Sequence, residues 1–355
     1  MSTVTKPLDE RLVESTIGAL ELFGVYLGDR LGCYEALRPA PGGLTPPELA
    51  AEVGIHPRYA REWLEQQAVA GVLAVDDAAA GPDARRYRLP EAHVGVLADP
   101  DDGAHLRPFA RMVAGIARVL DDVVDAYRTG GGVPFARYGQ DMREGQGAIN
   151  RPAFTSALVD EWLAAAPDVV AALRAGGKVA DLGCGQGWSA LALARAFPGA
   201  EVWGVDSDVA SIDDARALAA AHGVHVRFEA ADAAELAGHG PFDVITVLEA
   251  LHDMAQPAAV LAAARRALAP EGSVIVADEA VADTFGAPGD EVERMMYGWS
   301  ILHCLPASMA EQPSAAIGTV IRESTVRELA AAAGYSSVEV LPVDAGFFRV
   351  YRLRP

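Results

Sequence analysis

Val179-Ala-Asp-Leu-Gly-Cys-Gly-Gln-Gly-Trp188 is the stretch on which the reading of this chain turns. Residues 178 to 182 are short and mostly apolar, as a strand buried on both faces requires. Gly183, Gly185 and Gly187 then let the backbone turn sharply and come close to a ligand where any side chain would block it. A helical run with Ala190, Leu191 and Ala194 on one face follows. The free N–H groups at its start favour a polar or anionic ligand group at the loop.

The dinucleotide fingerprint G-x-G-x-x-G would put its third glycine where Trp188 stands, so the spacing G-x-G-x-G argues against NAD. Alone, the loop fits a plain tight turn as well as a nucleoside-cofactor loop. Its surroundings favour the second. Apolar strands are expected at 201 to 205, 226 to 229, 243 to 248 and 273 to 277, with helices at 211 to 222 and 257 to 268 between them. That rhythm predicts right-handed crossovers and a parallel sheet, with two closing strands at 337 to 341 and 347 to 353. Ligands of such sheets bind beyond the C-terminal strand ends, and Asp181, Asp206 and Asp232 stand at three successive ones. Asp206 is placed to accept from ribose hydroxyls and Asp232 from an adenine amino group. Asp208 reads as a helix cap.

Upstream, residues 9 to 38 read as one long amphipathic helix carrying Val13, Ile17, Leu20, Leu27, Leu31 and Tyr34. A stripe so broad suits two neighbours, either within the chain or in a second copy. Thr45-Pro-Pro-Glu48 offers a capping box, and Leu73 to Val75 with Tyr87 to Leu89 read as the strands of a wing behind two short helices. A winged helix raises DNA binding, but acids outnumber the five arginines between Thr45 and Glu91. Arg58 with Glu62 and Arg61 with Glu65 are expected to pair at i, i+4 as on a solvated face. Dimerisation or covering of a substrate is the better expectation for this module.

The whole chain of 355 residues carries a formal charge of -20, which disfavours nucleic acid. Its apolar runs are too short to cross a membrane, and acids near the N-terminus leave no secretory core, so a cytoplasmic location is expected. Cys33, Cys184 and Cys304 read as free thiols, with neither a disulfide framework nor a metal cluster.

The motifs VADLGCGQG, VWGVDSD, AADA, FDVITVLEALHDM and LAPEGSVIVADE together resemble those of class I S-adenosylmethionine (SAM) methyltransferases, whose first motif looks like D-x-G-x-G-x-G. The winged helix, MMYGWSILHCLPASMAEQPSAAIGTVIR and GFFRVYRL are similar to an actinobacterial-type subfamily acting on small molecules. The resemblance implies an α/β, Rossmann-like seven-stranded methyltransferase sheet with its last strand antiparallel, behind an N-terminal, mainly helical winged-helix domain. It implies domains at 1–104 and 176–355 with a helical connector at 105–175, and methyl transfer from SAM to O, N or C of a small molecule. Ser207, Ala233 and Leu248 join the acids and glycines named above as expected cofactor contacts. The polar segment 135 to 152, with Tyr138 and Gln146, either folds over the cofactor or forms a solvated linker.

Two residues are put forward for catalysis. His252, just past the fourth strand, is the candidate base, because imidazole takes a proton near neutral pH; a hydrogen-bonded structural histidine is the alternative. Glu249 lies nearer the strand end and contacts cofactor or substrate in the same reading. An insertion at 281–322 holds Tyr297, Trp299 and His303, expected to face the substrate, with His303 a second candidate base. Its aromatic and Met content suits an apolar or aromatic acceptor, or else simply makes a lid core. A homodimeric enzyme is expected, against two alternatives: a SAM-sensing winged-helix regulator and a SAM-binding enzyme of other chemistry.

Overall fold

The computed structural model describes residues 6–355. They divide into a unit ending at Ala114 and a unit from Gly115 to Pro355, so the segment after 115, expected to be a connector, lies within the larger unit.

In the first unit, α1 (Leu8–Arg30), α2 (Cys33–Leu37), α3 (Pro46–Val53), α4 (Pro57–Val69) and α5 (Glu91–Ala98) surround a small hairpin, β1 (Ala74–Val75) with β2 (Tyr87–Arg88). The expected single helix over 9 to 38 is broken: Gly32 takes φ 72, a left-handed conformation that ends α1 and restarts the chain as α2. The capping box forms at Thr45, whose hydroxyl accepts from Glu48 N–H while Glu48 Oε2 accepts from Thr45 N–H at 2.8 Å. Tyr34, Trp63, Leu64 and Tyr87 fill the core of the module. Val13, Ile17, Leu20 and Leu27 of α1 stay exposed.

Arg58 pairs with Glu62 as expected, whereas Arg61 turns to Asp83 at 3.6 Å and Glu65 is taken by Arg85 at 2.8 Å. Both changes bring the wing connection against α4, which sequence spacing along one helix could not show.

The helices α6 (Pro108–Ala117), α7 (Leu120–Thr129) and α8 (Phe135–Pro152) come next, then a π-helical segment (Ala153–Trp162) and α9 (Pro167–Arg174). The run at 135 to 152 is helical and no linker, kinked at Gly139 (φ 79): Tyr138 before the kink is buried, and after it Met142 and Gly145, at i and i+3, form a narrow buried face despite the polar average. The sheet strands are β3 (Lys178–Leu182), β4 (Glu201–Asp206), β5 (Arg227–Ala230), β6 (Phe242–Leu248), β7 (Leu268–Glu279), β8 (Ser337–Val340) and β9 (Phe348–Arg354). Their order is β5-β4-β3-β6-β7-β9-β8, parallel except for β9, which runs antiparallel to both β7 and β8. Between them lie α10 (Trp188–Ala196), α11 (Val209–His222), α12 (Pro257–Ala267), α13 (Glu291–Trp299), α14 (Leu305–Ser308) and α15 (Glu323–Ala332). The last begins at Glu323, and no side chain caps it.

Both sheet faces are covered. Leu182, Val205, Ile245 and Val247 pack on one side, and Val179, Val202, Val244 and Leu248 on the other. Strand order reverses between β3 and β6, so the glycine loop after β3 and the turn after β6 flank one crevice.

Candidate active site

The glycine loop is held by its neighbours. Gly183 N–H donates to Val205 O at 2.8 Å, and Gly185 N–H donates to Asp206 Oδ2 at 2.8 Å. Asp206 Oδ1 accepts from Asp208 N–H at 2.8 Å, which leaves each carboxylate oxygen one further acceptor direction. Burial raises the Asp206 carboxyl above its usual range, opposed by these two backbone amides. A donor-rich ligand such as a ribose diol would supply what burial removed.

Asp181 is differently placed. It is 1% exposed, and its oxygens accept from Thr246 Oγ1 at 2.6 Å and from the Ser189 hydroxyl. Asp181 and Thr246 are register partners across β3 and β6, and Ser189 comes down from α10. The carboxyl therefore ties the loop and the first turn of α10 to the sheet, and burial pushes it up to about 6. Sequence reading missed Thr246 and Ser189, since neither shows a partner within its own element.

All three loop glycines have positive φ, but they have different surroundings. A Cβ at Gly183 would stand 2.5 Å from Ala250 Cβ, whereas at Gly185 nothing lies within 4 Å. Gly185→Ala should therefore fold, with about 1 kcal/mol of strain, yet lose cofactor affinity, because its Cβ enters the space a ligand would use. Gly183→Ala should lose both, and thermal melting beside calorimetric titration separates the two cases.

Asp208 caps α11, accepting from Ser211 N–H at 2.9 Å, as its sequence position suggested. Asp232 is exposed and also caps, accepting from Ala234 N–H at 2.8 Å; Ala233 beside it is half-buried and Ser207 is exposed. Leu248 is buried at the end of β6. Over the loop lies α8: Arg143 Nε and Gln186 Nε2 both donate to Asp214 Oδ2, at 2.9 and 3.0 Å. Arg151 stacks on Trp188, 4.4 Å from the ring centroid.

The other wall is a buried polar cluster at the ends of β6 and β7. Glu249 leaves β6 with φ 52, a left-handed conformation costly for a residue with a side chain and typical of functional positions. Its carboxyl accepts from Asn150 and is pushed up to about 7 by burial, while Oε2 has no partner. His252, 2% exposed, contacts Asp278 Oδ1 through Nδ1 at 2.5 Å and lies 3.5 Å from Glu279 Oε2. Its Nε2 lies 3.4 Å from Asp253 Oδ1. Burial works against the charged imidazole, but the adjacent Glu279, Asp278 and Asp253 outweigh it and raise its pKa well above the usual range. Burial likewise raises Glu279. Asp278, Glu279 and Asp253 were not among the expected site residues, although two acids closing an apolar strand in VIVADE were a legible signal. Ligand atoms of His252, Asp278 and Glu279, and likewise of His252, Asp253 and Cys304, lie within 4.8 Å of one another, and in the first group Nδ1 contacts Oδ1 directly.

The insertion divides its expected substrate residues. His303, 3% exposed, joins the cluster through Cys304 Sγ, 3.4 Å from Nδ1. Tyr297 lies in an open groove of about 440 Å³ with Phe285 and Ile301, and Trp299 is half-buried. Tyr138 packs its ring 4.6 Å from His303 and donates its hydroxyl to Leu302 O at 2.9 Å, so it holds the insertion. Gln146 is half-buried on α8.

Residues 173–334 match a family model described as a methyltransferase domain. The chain carries a methyltransferase domain. A second model, an Rv2258c-like winged HTH domain, matches residues 18–99 ahead of it. The chain is 39% identical over 104 residues to a ubiquinone biosynthesis O-methyltransferase of Pseudomonas aeruginosa, covering 29% of this chain and 44% of that protein. The chain thus matches less than half the length of these curated relatives. Among solved structures, the mitomycin 7-O-methyltransferase MmcR superposes with TM-score 0.69 at 20% identity, covering 98% of this chain and 97% of that one. Human N-acetylserotonin methyltransferase in complex with SAM gives 0.66 at 19% identity, covering 100% and 99%. At such identities the likeness establishes the fold: the seven-stranded sheet of the methyltransferase domain with a winged-helix domain before it.

Proposed function

We propose that this protein transfers a methyl group from SAM to a small-molecule acceptor. The observation that carries the reading is the pairing, at the reversal in strand order between β3 and β6, of a glycine loop tied to Asp206 with a buried His and carboxylate cluster. The residues present fit the cofactor. Asp206 keeps free acceptor capacity, Gly185 leaves open space, and the orphaned oxygen of Glu249 lies past the end of β6. When bound, SAM supplies a methyl group on a sulfonium. The chain's part is to hold cofactor and acceptor in line and to exclude water. Glu249 offers its unpartnered oxygen to a donor on either ligand. His252, clamped by Asp278 and Glu279, serves as a fixed cation of the site. Calorimetry with SAM tests binding, and release of S-adenosylhomocysteine with phenol and amine acceptors tests transfer. Binding without release in any mixture would favour a non-methylating use of SAM.

The regulator reading has less support. Arg58, Arg61, Arg85, Arg86 and Arg88 of the winged helix each pair with an acid of the same module. A low-salt mobility-shift assay should show no DNA complex. We place the protein in the cytoplasm, on the support of three buried, unpaired cysteines, and no described helix is long and apolar enough to cross a membrane.

The exposed stripe of α1 supports a homodimer. Ile17→Glu with Leu20→Glu should convert the dimer to a monomer in light scattering while the far-UV spectrum is unchanged. A wild-type chain already monomeric at micromolar concentration would refute this assignment.

A further inference from the structure

This inference rests on the methyl-transfer reading above and concerns the residue that handles the acceptor's proton. Two buried histidines share the cluster, and they are wired differently. His252 has carboxylates on both sides, Asp278 and Glu279 at Nδ1 and Asp253 at Nε2, and it also shares a hydrogen bond with Cys304. His303 sits on a π-helical turn, Ser300–Cys304, of the kind that recurs at functional sites. Its ring is fixed edge-on by Tyr138 at 4.6 Å and Phe135 at 5.7 Å, and Nδ1 meets the Cys304 sulfur. Its Nε2 is buried and has no partner. A polar atom orphaned in this way costs about 1 to 3 kcal/mol, so its retention points to a ligand that completes it.

We propose that His303 is the base of the reaction, taking at Nε2 the proton of an O–H or N–H acceptor while His252 remains charged throughout. With Nδ1–H donating to the Cys304 sulfur, the lone pair lies on Nε2. The acceptor's bond to hydrogen breaks, and the proton goes to Nε2. The electron pair left on the acceptor atom forms the new bond to the methyl carbon, and the pair of the bond the methyl leaves stays on sulfur. Positive charge thus passes from sulfonium to His303, and the site keeps its charge balance.

The titratable groups facing His303 agree with this. They are Tyr138 from α8, Asp253 and His252 from the turn after β6, and Cys304 on its own turn. Burial and the charged His252 hold His303 below the ordinary histidine range, and Asp253 opposes them. Burial pushes Cys304 up to about 12 and raises Tyr138, so both stay protonated. Once His303 is charged, Asp253, which also lies 3.4 Å from His252 Nε2, is the anion facing it. Separation of two neighbouring titrating groups by their surroundings is how acid and base roles are divided in one site.

The test is nitrogen-15 NMR of histidine-labelled full-length protein at pH 7, without ligands, with His303→Gln and His252→Gln used for assignment. The expected spectrum shows His303 neutral with its proton on Nδ1, and His252 protonated on both nitrogens. A doubly protonated His303, or a His303 lone pair on Nδ1, would overturn the proposal. In the loaded enzyme, His303→Gln should keep SAM affinity within about threefold, lose about 100-fold or more of S-adenosylhomocysteine release, and lose the acid limb of the pH profile. Wild-type turnover by that variant would also overturn it. Failure of the wild type to bind SAM would instead remove the methyl-transfer reading, while the spectrum of the unliganded chain is decided separately.

Discussion

Asp206→Ala should weaken SAM binding by about 100-fold or more. Two hydrogen bonds to a charged acceptor, at about 1.5 to 3 kcal/mol each, are lost from the ligand, and 1.4 kcal/mol is about tenfold in affinity. The same change also releases Gly185 N–H and Asp208 N–H, which the carboxylate holds at 2.8 Å, so the loop loses its tie to β4. Asp206→Asn separates the two effects: the amide keeps the size and one acceptor oxygen and should fall between alanine and wild type. Asp232→Ala makes the contrast, since this exposed residue is already capping Ala234 and its loss should cost less than about tenfold. Equal losses at 206 and 232, or unchanged affinity in Asp206→Ala by calorimetry, would reject the assignment of the ribose-facing acid.

The second large effect is on stability against pH, which should be greatest in mild acid and fall between pH 5 and 8. Asp181, Asp206, Glu249 and Glu279 are all raised by burial, and His252 is raised by the acids around it. For each of these groups the folded chain binds more protons than the unfolded chain between the two pKa values, so stability falls as pH rises through that window. For Asp181 the window runs from 3.8 to about 6, and about 3 kcal/mol is lost across it. For His252 the contribution is present below the ordinary value of 6.5 and is lost as pH rises through its higher folded value. His303, lowered by burial, acts in the opposite sense. Below about pH 4 the lowered carboxyls Glu48, Glu201 and Asp168 reverse the trend, which bounds the optimum on the acid side. Melting temperatures across pH 4 to 8 check this, and Asp181→Asn should flatten the slope between pH 4 and 6. A melting temperature that rises from pH 5 to 8 would show that the cluster is ionised and solvated in the folded chain.

The succession of strands along the chain, the glycine loop and the acid at the end of β4 were legible because each is a local pattern. An apolar run, a turn that only glycine permits and a polar residue at a strand end are fixed by neighbours within about ten residues. Gly32 was legible in kind but misjudged in effect, since periodicity runs through it and only its left-handed backbone breaks the helix. The polar average of residues 135 to 152 hid a helix whose narrow buried face depends on what packs against it. At the site, sequence alone brought forward His252, Glu249 and His303 as separate candidates. Asp278 and Asn150 meet them through β7 and α8, at separations along the chain that no spacing rule links, whereas Asp253 and Cys304 stand next in sequence to His252 and His303 and only the fold turns them onto the rings. The sequence by itself therefore determined the sheet and marked the crevice proposed for a ligand. Only the tertiary structure decided which acids surround which histidine, because a buried group's charge state is set by neighbours brought together in space.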